Sequence, residues 1–233
     1  MSTGAGPRTV RELLFGLPML SGELPGFEPD PDPDAATGAV PPTPFPLFLD
    51  WLGEAVAAGV REPHAMSLAT VDADGCPDLR VVALRDATEA GWTFATHAAS
   101  PKGRQLAGQP QAAIAFHWRE QGRQIRARGP VLRADAATAA RDYLDRLPGS
   151  RAASLVGHQS EVLDDPAALP RAFDAALARV TEQPETVDPL HALFTVQPLS
   201  VEFWQGVPGR GHVRLRYRAE HLGGPWTRER LWP

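Results

Sequence analysis

The sequence predicts a mainly β protein in which an antiparallel barrel is flanked by helices. Short segments alternate apolar and polar residues with a period of two and are joined by brief turns, as antiparallel strands require. Helical periodicity is confined to a few short stretches. The chain has 233 residues, of which 43% are apolar, so it is large enough to bury one core. Together these observations indicate a barrel with helices packed outside it.

The first 44 residues are expected to form an N-terminal segment ahead of a barrel domain at residues 45–233. Ten of the 24 prolines fall before residue 47, three of them alternating with aspartates in 29–34. Proline removes backbone donors and the aspartates repel one another, so we expect an extended linker rather than packed structure. Apolar residues from Val10 to Leu20 recur at helical spacing. They predict a short helix, either docked on the body or acting as a lid over a site.

The elements of the barrel domain follow from the change of period along the chain. Residues 45–58 have the 3.6-residue period of an amphipathic helix. The next apolar runs alternate with a period of two and are separated by turns such as Asp72-Ala73-Asp74-Gly75. The predicted strands are 65–71, 79–85, 91–97, 112–118, 124–133, 193–204, 212–218 and 226–231, and the predicted helices are a short one from Ser100, 136–147 and 169–180.

The distribution of charge excludes two classes of function. The net charge of −5 comes wholly from residues 1–50, which hold seven acids and two bases, whereas the rest of the chain carries 21 of each sign. A neutral body lacks the basic footprint of a nucleic-acid binder or of a polybasic membrane-surface protein. The longest apolar stretches are too short to span a membrane, and Cys76, the single cysteine, has no disulfide partner. We therefore expect a cytoplasmic protein.

A run of basic residues near the C-terminus suggests an anion site. If residues 210–218 form a strand, alternation places every second residue on one face. Basic side chains in a row on that face repel one another and require anions, which are either protein carboxylates or the groups of a ligand. The alternative is a strand at the sheet edge whose basic side chains are solvated by water. The residues of this basic ladder are Arg210, His212, Arg214, Arg216 and Arg218.

A second candidate anion site lies at the start of the short helix. Ser100 is suited to the N-cap and Pro101 to the first helical position. Lys102 and Arg104 oppose the usual preference for acids in a first turn, which a bound phosphate would explain. The alternative is a plain surface helix. The seven histidines show no metal-ligand spacing, so no metal site is predicted.

At these residues the chain resembles the pyridoxamine 5′-phosphate oxidase family, which are FMN-dependent split-barrel flavoproteins. The matching runs follow the family's order and spacing over residues 60–233. The resemblance implies an FMN-binding split β-barrel that forms a homodimer with the cofactor at the subunit interface. The runs are Arg80-Val81-Val82-Ala83-Leu84-Arg85, Phe94-Ala95-Thr96, Ser100-Pro101-Lys102, Arg123-Gln124-Ile125, Gln159-Ser160, Glu202-Phe203-Trp204-Gln205-Gly206 and Arg210-x-His212-x-Arg214.

The resemblance also implies individual roles. Arg80 and Lys102 would contact the FMN phosphate, and Arg210 and His212 would face the substrate as the catalytic pair. The substrate site would further include Arg85, Arg146 and Ser150. The implied reaction is hydride transfer to FMN, followed by reoxidation by O2 with release of H2O2. The other implied cofactor contacts, some of them from a second subunit, are Val81, Val82, Leu84, Arg85, Ala95, Thr96, Ser100, Gln124, Gln159, Ser160, Trp204 and Arg214.

Two departures from the family bear on the substrate and the cofactor. Vitamin-making members hold the substrate phosphate with a lysine, a tyrosine, an arginine and a serine, and the tyrosine position here is Asp142. An ionised carboxylate repels a unit negative charge about 4 Å away by roughly 4 kcal/mol. In addition, Pro101 stands where those enzymes have a second cationic FMN-phosphate ligand, which leaves more of that task to Lys102.

A closer likeness is to the phenazine-biosynthesis branch of the family. It rests on Thr96-His97-Ala98-x-Ser100-x-Lys102-Gly103-Arg104, Trp118-Arg119-Glu120 and Leu215-Arg216-Tyr217. Members of that branch oxidise dihydro-heterocyclic carboxylic acids. The likeness favours an FMN oxidase of natural-product biosynthesis that acts on a reduced N-heterocycle or amine. The alternatives are a pyridoxine or pyridoxamine 5′-phosphate oxidase and a non-catalytic split-barrel protein that binds flavin or haem.

Overall fold

A computed structural model describes the protein at residues 14, 20, 22–32, 38–209 and 211–233. The helix expected from Val10 to Leu20 lies outside these residues, apart from Leu14 and Leu20, and so does Arg210. The described residues form five α-helices: α1 (Pro44–Ala57), α2 (Pro101–Gly108), α3 (Ala136–Leu144), α4 (Pro148–Leu155) and α5 (Ala168–Glu182).

Nine strands form a closed barrel with an extension. The ring runs β4-β1-β2-β3-β6-β5 and closes through the pairing of β4 with β5, while β7, β8 and β9 extend from β5. All pairings between these strands are antiparallel, which confirms the predicted mainly β class. The strands are β1 (Ala65–Val71), β2 (Pro77–Thr88), β3 (Gly91–His97), β4 (Gln111–Trp118), β5 (Arg123–Arg133), β6 (His191–Val196), β7 (Ser200–Gln205), β8 (Val213–Arg218) and β9 (Thr227–Leu231).

The core lies inside the barrel and beneath α1. Alternate strand residues point inward, so the period of two read from the sequence becomes a buried face. α1 covers this core through Phe48, whose ring lies 5.2 Å from that of Trp92 and 5.3 Å from that of Phe116. The inward-facing side chains exposed by 2% or less include Met66, Leu68, Phe94, Ile114, Phe116, Ile125, Phe203 and Leu215.

A buried arginine joins α1 to the barrel. Arg123 is 2% exposed, and its guanidinium lies 4.2 Å from the ring centroid of Trp51. Its Nη1 donates to Glu54 at 2.6 Å, and its Nε donates to Gln205 at 2.9 Å. The charge is therefore paired, hydrogen-bonded and stacked, as a buried guanidinium requires.

The structure corrects the predicted layout in two places near the C-terminal half. The stretch 193–204 is not one continuous strand. β6 and β7 run in the same direction along β5, and the ladder is interrupted between them around Pro198, which has no backbone N–H to donate. A helix that the sequence pattern did not indicate, α4, follows α3. No helix within the described ranges is both long and apolar enough to cross a membrane.

The described part of the proline-rich segment is packed rather than free, contrary to expectation. Phe27 packs edge-on against Trp51 at 4.9 Å between ring centroids, and Val40 is buried. The carbonyl of Pro41 accepts a hydrogen bond from the Tyr217 hydroxyl at 3.1 Å. Apolar residues between the prolines therefore bury against the barrel, and this outweighs the tendency of the composition to stay extended.

Candidate active site

The site begins where β2 and β3 separate. Their ladder joins residues 84–88 to 91–94 only, and its register shifts between Leu84 and Asp86. Among the described strands, residues 77–83 consequently pair with β1 alone. The other edge of β2, which includes Val81 and Val82, thus has backbone groups without a partner strand. The amide of Leu84 is already used, because it donates to the carbonyl of His64 at 2.8 Å.

Two cations lie together beside this opening. Nη2 of Arg80 is 2.5 Å from Asp78 Oδ2 and 3.0 Å from Gln105 Oε1, and its Nη1 is 2.5 Å from Thr70 Oγ1. Burial lowers the pKa of Lys102, and the charge of Arg80 lowers it further, against the opposing effect of Asp78. Neighbouring cations, one of them partly desolvated, form a site that an anion would stabilise.

The start of α2 is built as the sequence predicted. Ser100 caps the helix, with its Oγ accepting from the amide of Gly103 at 3.3 Å and lying 3.3 Å from Thr96 Oγ1. A Cβ at Gly103 would lie 2.4 Å from the carbonyl oxygen of Ala98, so the helix start is pressed against the chain that follows β3. Thr96, Ser100 and Lys102 therefore lie close together, where the end of β3 meets the start of α2, and Ala95 precedes them on β3.

A row of three predicted flavin contacts crosses the outer face of the sheet. Gln124 on β5 pairs with Trp204 on β7, which pairs with Arg214 on β8. Opposite residues of antiparallel strands point to the same side, so the three side chains are neighbours. The ring of His212 packs 4.9 Å from that of Trp204.

His212 has a defined hydrogen-bonding state. Its Nδ1 accepts from the backbone N–H of Val207 at 3.1 Å, so the neutral ring carries its proton on Nε2. Nε2 is consequently a hydrogen-bond donor. Its catalytic partner in the implied pair, Arg210, lies outside the described residues.

The basic ladder is shorter than predicted, and protein carboxylates face two of its members. Gly211 has a φ of +90°, outside the β region, and β8 begins only at Val213, so His212 precedes the strand. Within β8, Arg214 Nε lies 2.9 Å from Glu202, and Arg216 Nη2 lies 2.6 Å from Glu229. For these two arginines the protein-carboxylate alternative is correct.

A linked cluster occupies the implied substrate-anion site. Arg85 lies at the register shift of β2, which directs its side chain toward α3. Its Nη2 and Nε lie 3.0 and 3.3 Å from Asp142 Oδ1, and Asp142 Oδ2 lies 2.8 Å from Nε2 of His191 on β6. Burial raises the pKa of Asp142, but the hydrogen bonds from His191 and Arg85 and the charge of Arg85 outweigh it, and the net shift is downward. Asp142 is therefore ionised at neutral pH.

The remaining substrate candidates stand around this cluster. Burial lowers the pKa of Arg146. The negative charge of Asp142 raises this pKa and the positive charge of Arg85 lowers it further, so the three groups lie within electrostatic range. Ser150 lies in the first turn of α4 and is half-buried. Tyr143 is fully buried and donates to the carbonyl of Arg151 at 2.8 Å, so it does not replace the tyrosine that is missing at position 142.

Gln159 and Ser160 lie on a strained loop after α4. His158 and Ser160 have φ values of +59° and +69°, a region that non-glycine residues rarely adopt. Gln159 Nε2 donates to the carbonyl of Ser154 at 3.4 Å, but its Oε1 is buried without a partner in the described structure. A buried acceptor of this kind fits a ligand or a second chain that supplies the donor.

Several residues of the site carried no sequence signal that we used. His191, Gln105 and Asp78 contact the predicted residues directly. Spacing offered a signal for two of them: Gln105 follows Lys102 by three residues on one helix face, and Asp78 precedes Arg80 by two on one strand face. His191 offered none, because only tertiary packing brings β6 to α3.

Comparison with known proteins decides the family. Residues 52–205 match the family model described as "Pyridoxamine 5'-phosphate oxidase", and residues 192–233 match "Pyridoxine 5'-phosphate oxidase C-terminal dimerisation region". The chain belongs to the pyridoxamine 5′-phosphate oxidase family. As a member of that family it is an oxidoreductase, which confirms the resemblance read from the motifs.

Relatives of the oxidase family span most of the chain. A pyridoxine/pyridoxamine 5′-phosphate oxidase of Nitrobacter winogradskyi is 39% identical over 190 residues, which cover 82% of this chain and 89% of that protein. The Brucella canis protein of the same name is 37% identical, with 82% and 94% covered.

Two solved structures share the fold. PhzG from Burkholderia lata 383, in complex with tetrahydrophenazine-1-carboxylic acid, superposes with a TM-score of 0.81 at 32% identity, covering 91% of this chain and all of that one. A pyridoxamine 5′-phosphate oxidase-related, FMN binding protein from Nostoc punctiforme gives a TM-score of 0.65 at 19% identity, covering 82% and 98%. The second likeness shows the fold alone.

Proposed function

We propose that this member of the oxidase family is an FMN-dependent oxidase of natural-product biosynthesis. Its substrate is a reduced N-heterocycle or amine that carries a carboxylate, and its electron acceptor is O2. The observation that carries the proposal is the ion pair between Arg85 and Asp142 in the substrate-anion site. This pair changes the charge that the site presents to its ligand.

The residues present fit FMN. Arg80 and Lys102 would hold its phosphate at the start of α2, beside the hydroxyls of Thr96 and Ser100. The row of Gln124, Trp204 and Arg214 would contact the ring. When bound, FMN supplies the hydride acceptor and returns the two electrons to O2 as H2O2.

The outer face of the barrel supports a homodimer with the cofactor site at its interface. Leu79 and Val81 are 67% and 68% exposed on β2, next to a shallow depression of about 380 Å³. Small side chains line one part of the depression and charged side chains line another: Ser67, Ala69 and Ala113 in the first, and Arg126, Arg128, Glu202, Arg214 and Arg216 in the second. The exposed apolar residues of β2 suit burial against a second copy, in keeping with the C-terminal dimerisation region.

Charge counting distinguishes the substrate classes. Arg85 and Arg146 contribute two positive charges and Asp142 one negative charge. Burial lowers the pKa of His191, against the raising effect of its hydrogen bond to Asp142, so this ring stays neutral at neutral pH. These four groups sum to +1, and the buried Asp188, whose charge acts on both Arg146 and His191, lowers the positive charge further. The cluster therefore matches a carboxylate better than a phosphate dianion. The ligand of the similar PhzG structure is likewise a carboxylic acid.

The remaining substrate contact comes from His212, directly before β8. Because His212 Nδ1 is occupied by the Val207 amide, its Nε2 donates a hydrogen bond to the substrate rather than removing a proton. Packing against Trp204 holds the imidazole in place. We assign His212 the task of orienting the donor atom near the flavin, together with Arg210.

The test supplies the purified, FMN-loaded protein with two substrates under air and follows H2O2. One is pyridoxine 5′-phosphate, and the other is a reduced phenazine carboxylic acid. We expect H2O2 release above the rate of spontaneous oxidation with the heterocyclic acid and little with the phosphate. Turnover of pyridoxine 5′-phosphate with a rate and affinity typical of vitamin metabolism would overturn the proposal.

A second candidate, a pyridoxine or pyridoxamine 5′-phosphate oxidase, is favoured by the names of the relatives at 37% to 39% identity. Arg146 and Ser150 also retain groups that suit a phosphate. Asp142→Tyr restores the residue type of those enzymes. If the carboxylate proposal holds, this variant gains turnover with pyridoxine 5′-phosphate, whereas an enzyme already adapted to phosphate gains none.

A further inference from the structure

A single amide side chain connects the groups around the candidate phosphate site. Gln105 Oε1 accepts from Arg80 Nη2 at 3.0 Å and from Thr70 Oγ1 at 2.5 Å. Its Nε2 donates to Asp78 Oδ2 at 3.0 Å. The oxygen and the nitrogen of the Gln105 amide thus bond only to Arg80 and to Thr70 and Asp78, which themselves bind Arg80.

We infer that Gln105 is a positioning residue for the FMN phosphate, which it serves by fixing the guanidinium of Arg80 beside Lys102. The inference rests on the proposed FMN site. Gln105 and Lys102 are three residues apart, so α2 presents both on one face. One helix therefore supplies a phosphate ligand directly and orients the other ligand through Gln105.

The orientation matters more here than in a site with a third cation. Pro101 contributes no charge, so Arg80 and Lys102 carry the neutralisation of the phosphate between them. An arginine side chain has many rotamers and loses that freedom when it is ordered. Pre-ordering by Gln105, Thr70 and Asp78 removes that cost from the binding step.

The test compares FMN with riboflavin, which has the same ring and ribityl chain but no phosphate. Dissociation constants for both are measured by quenching of flavin fluorescence in the wild type and in Gln105→Ala. We expect FMN to bind roughly tenfold more weakly to the variant, the loss of one hydrogen bond to a charged group. Riboflavin binding should change by less than about twofold. The matched control is Gln109→Ala, an exposed glutamine at the C-cap of α2.

The outcomes separate the inference from the proposed function. Equal weakening of FMN and riboflavin would mean that Gln105 only supports the fold, and no weakening would mean that Arg80 needs no positioning; either result overturns the inference. If the wild type binds both flavins equally, the phosphate site itself is wrong.

Thr70→Val keeps the inference testable if Gln105→Ala does not fold, and a double variant tests whether the effect of Gln105 depends on Arg80. Thr70→Val removes the hydroxyl that accepts from Arg80 Nη1, at nearly constant volume, and should show the same selective loss of FMN affinity. In an Arg80→Ala background, Gln105→Ala should change FMN affinity by less than about twofold, because the group it orients is gone. A full additional loss in that background would contradict the positioning role.

Discussion

Asp142→Asn is the sharpest test of how this enzyme selects its substrate anion. The change removes one negative charge while keeping an oxygen that can accept from Arg85, whose Nη2 lies 3.0 Å away. The carboxylate is ionised at neutral pH because its pKa is held below the usual value. The variant should therefore shift preference toward ligands of higher negative charge.

The magnitude follows from Coulomb's law and the exposure of the pair. At a separation of about 5 Å and an effective dielectric near 20, Asp142 repels each unit of ligand charge by roughly 3 kcal/mol. A phosphate dianion carries one unit more than a carboxylate. The Arg85 and Asp142 side chains are 39% and 16% exposed, so solvent screening reduces the difference. We expect about 1.4 kcal/mol, a tenfold change in relative affinity.

The assay measures dissociation constants of pyridoxal 5′-phosphate and phenazine-1-carboxylic acid by their perturbation of flavin absorption. In Asp142→Asn the phosphate should gain about tenfold relative to the carboxylate. Asp145→Asn, an exposed residue at the end of the same helix, serves as the control for a general charge effect. If both ligands change equally in Asp142→Asn, or neither changes, the charge argument is refuted.

Three further predictions concern the cofactor site and the frame that holds it. The affinity for FMN should fall as the pH rises through the pKa of Lys102, which lies below 10.5, because the phosphate binds the protonated amine. A titration of FMN binding against pH checks this, and a Lys102→Met variant should lose the pH dependence of FMN affinity. Arg123→Met should destabilise the protein by about 2 kcal/mol in urea unfolding, since it leaves the buried Gln205 amide oxygen without its donor, and a change below about 1 kcal/mol would contradict that role. Gly103→Ala should weaken FMN binding and lower Tm, because its Cβ would lie 2.4 Å from a backbone oxygen; unchanged values of both would show that the helix start can move freely.

The stability of the substrate cluster should also depend on pH with a defined sign. The folded-state pKa of Asp142 is lowered from 3.8, so its contribution is present above that value and is lost as the pH falls below it. The pKa of His191 is lowered from 6.5, so protonation favours the unfolded chain and stability declines as the pH falls below that value. Unfolding midpoints measured across acid pH should decrease in wild type, and Asp142→Asn should show a smaller loss in the lower part of the range.

Local patterns predicted the elements near the site because their causes are local. The strand at 65–71 and the one at 91–97 alternate so regularly that their ends agree with β1 and β3. Ser100 and Pro101 marked the start of α2 through capping and proline geometry, which depend on adjacent residues only. Where the pattern erred, as at 193–204, one proline interrupts a stretch that otherwise reads as a single strand.

The sequence pattern could not predict which residues distant in the chain would pair with the site residues. The carboxylates that face Arg214 and Arg216 come from β7 and β9, and no spacing rule in the sequence selects them over a ligand anion. Likewise, the departure at Asp142 suggested repulsion of a phosphate, but its ion pair with Arg85 and its hydrogen bond to His191 depend on how α3 packs over β2 and β6. Those contacts pair the charge of Asp142 with protein groups, and they set the net charge that the cluster presents to a ligand.

By itself the sequence determined the mainly β class and the family, and it singled out Arg80 and Lys102 as the two cations proposed to hold a phosphate, because periodicity, capping and motif spacing are properties of neighbouring residues. Only the tertiary structure decided which charges neutralise one another and which remain for a ligand. Electrostatic pairing depends on distances of a few ångströms between residues far apart in the chain, such as Arg85 and Asp142, and the packing of helices against the barrel sets those distances.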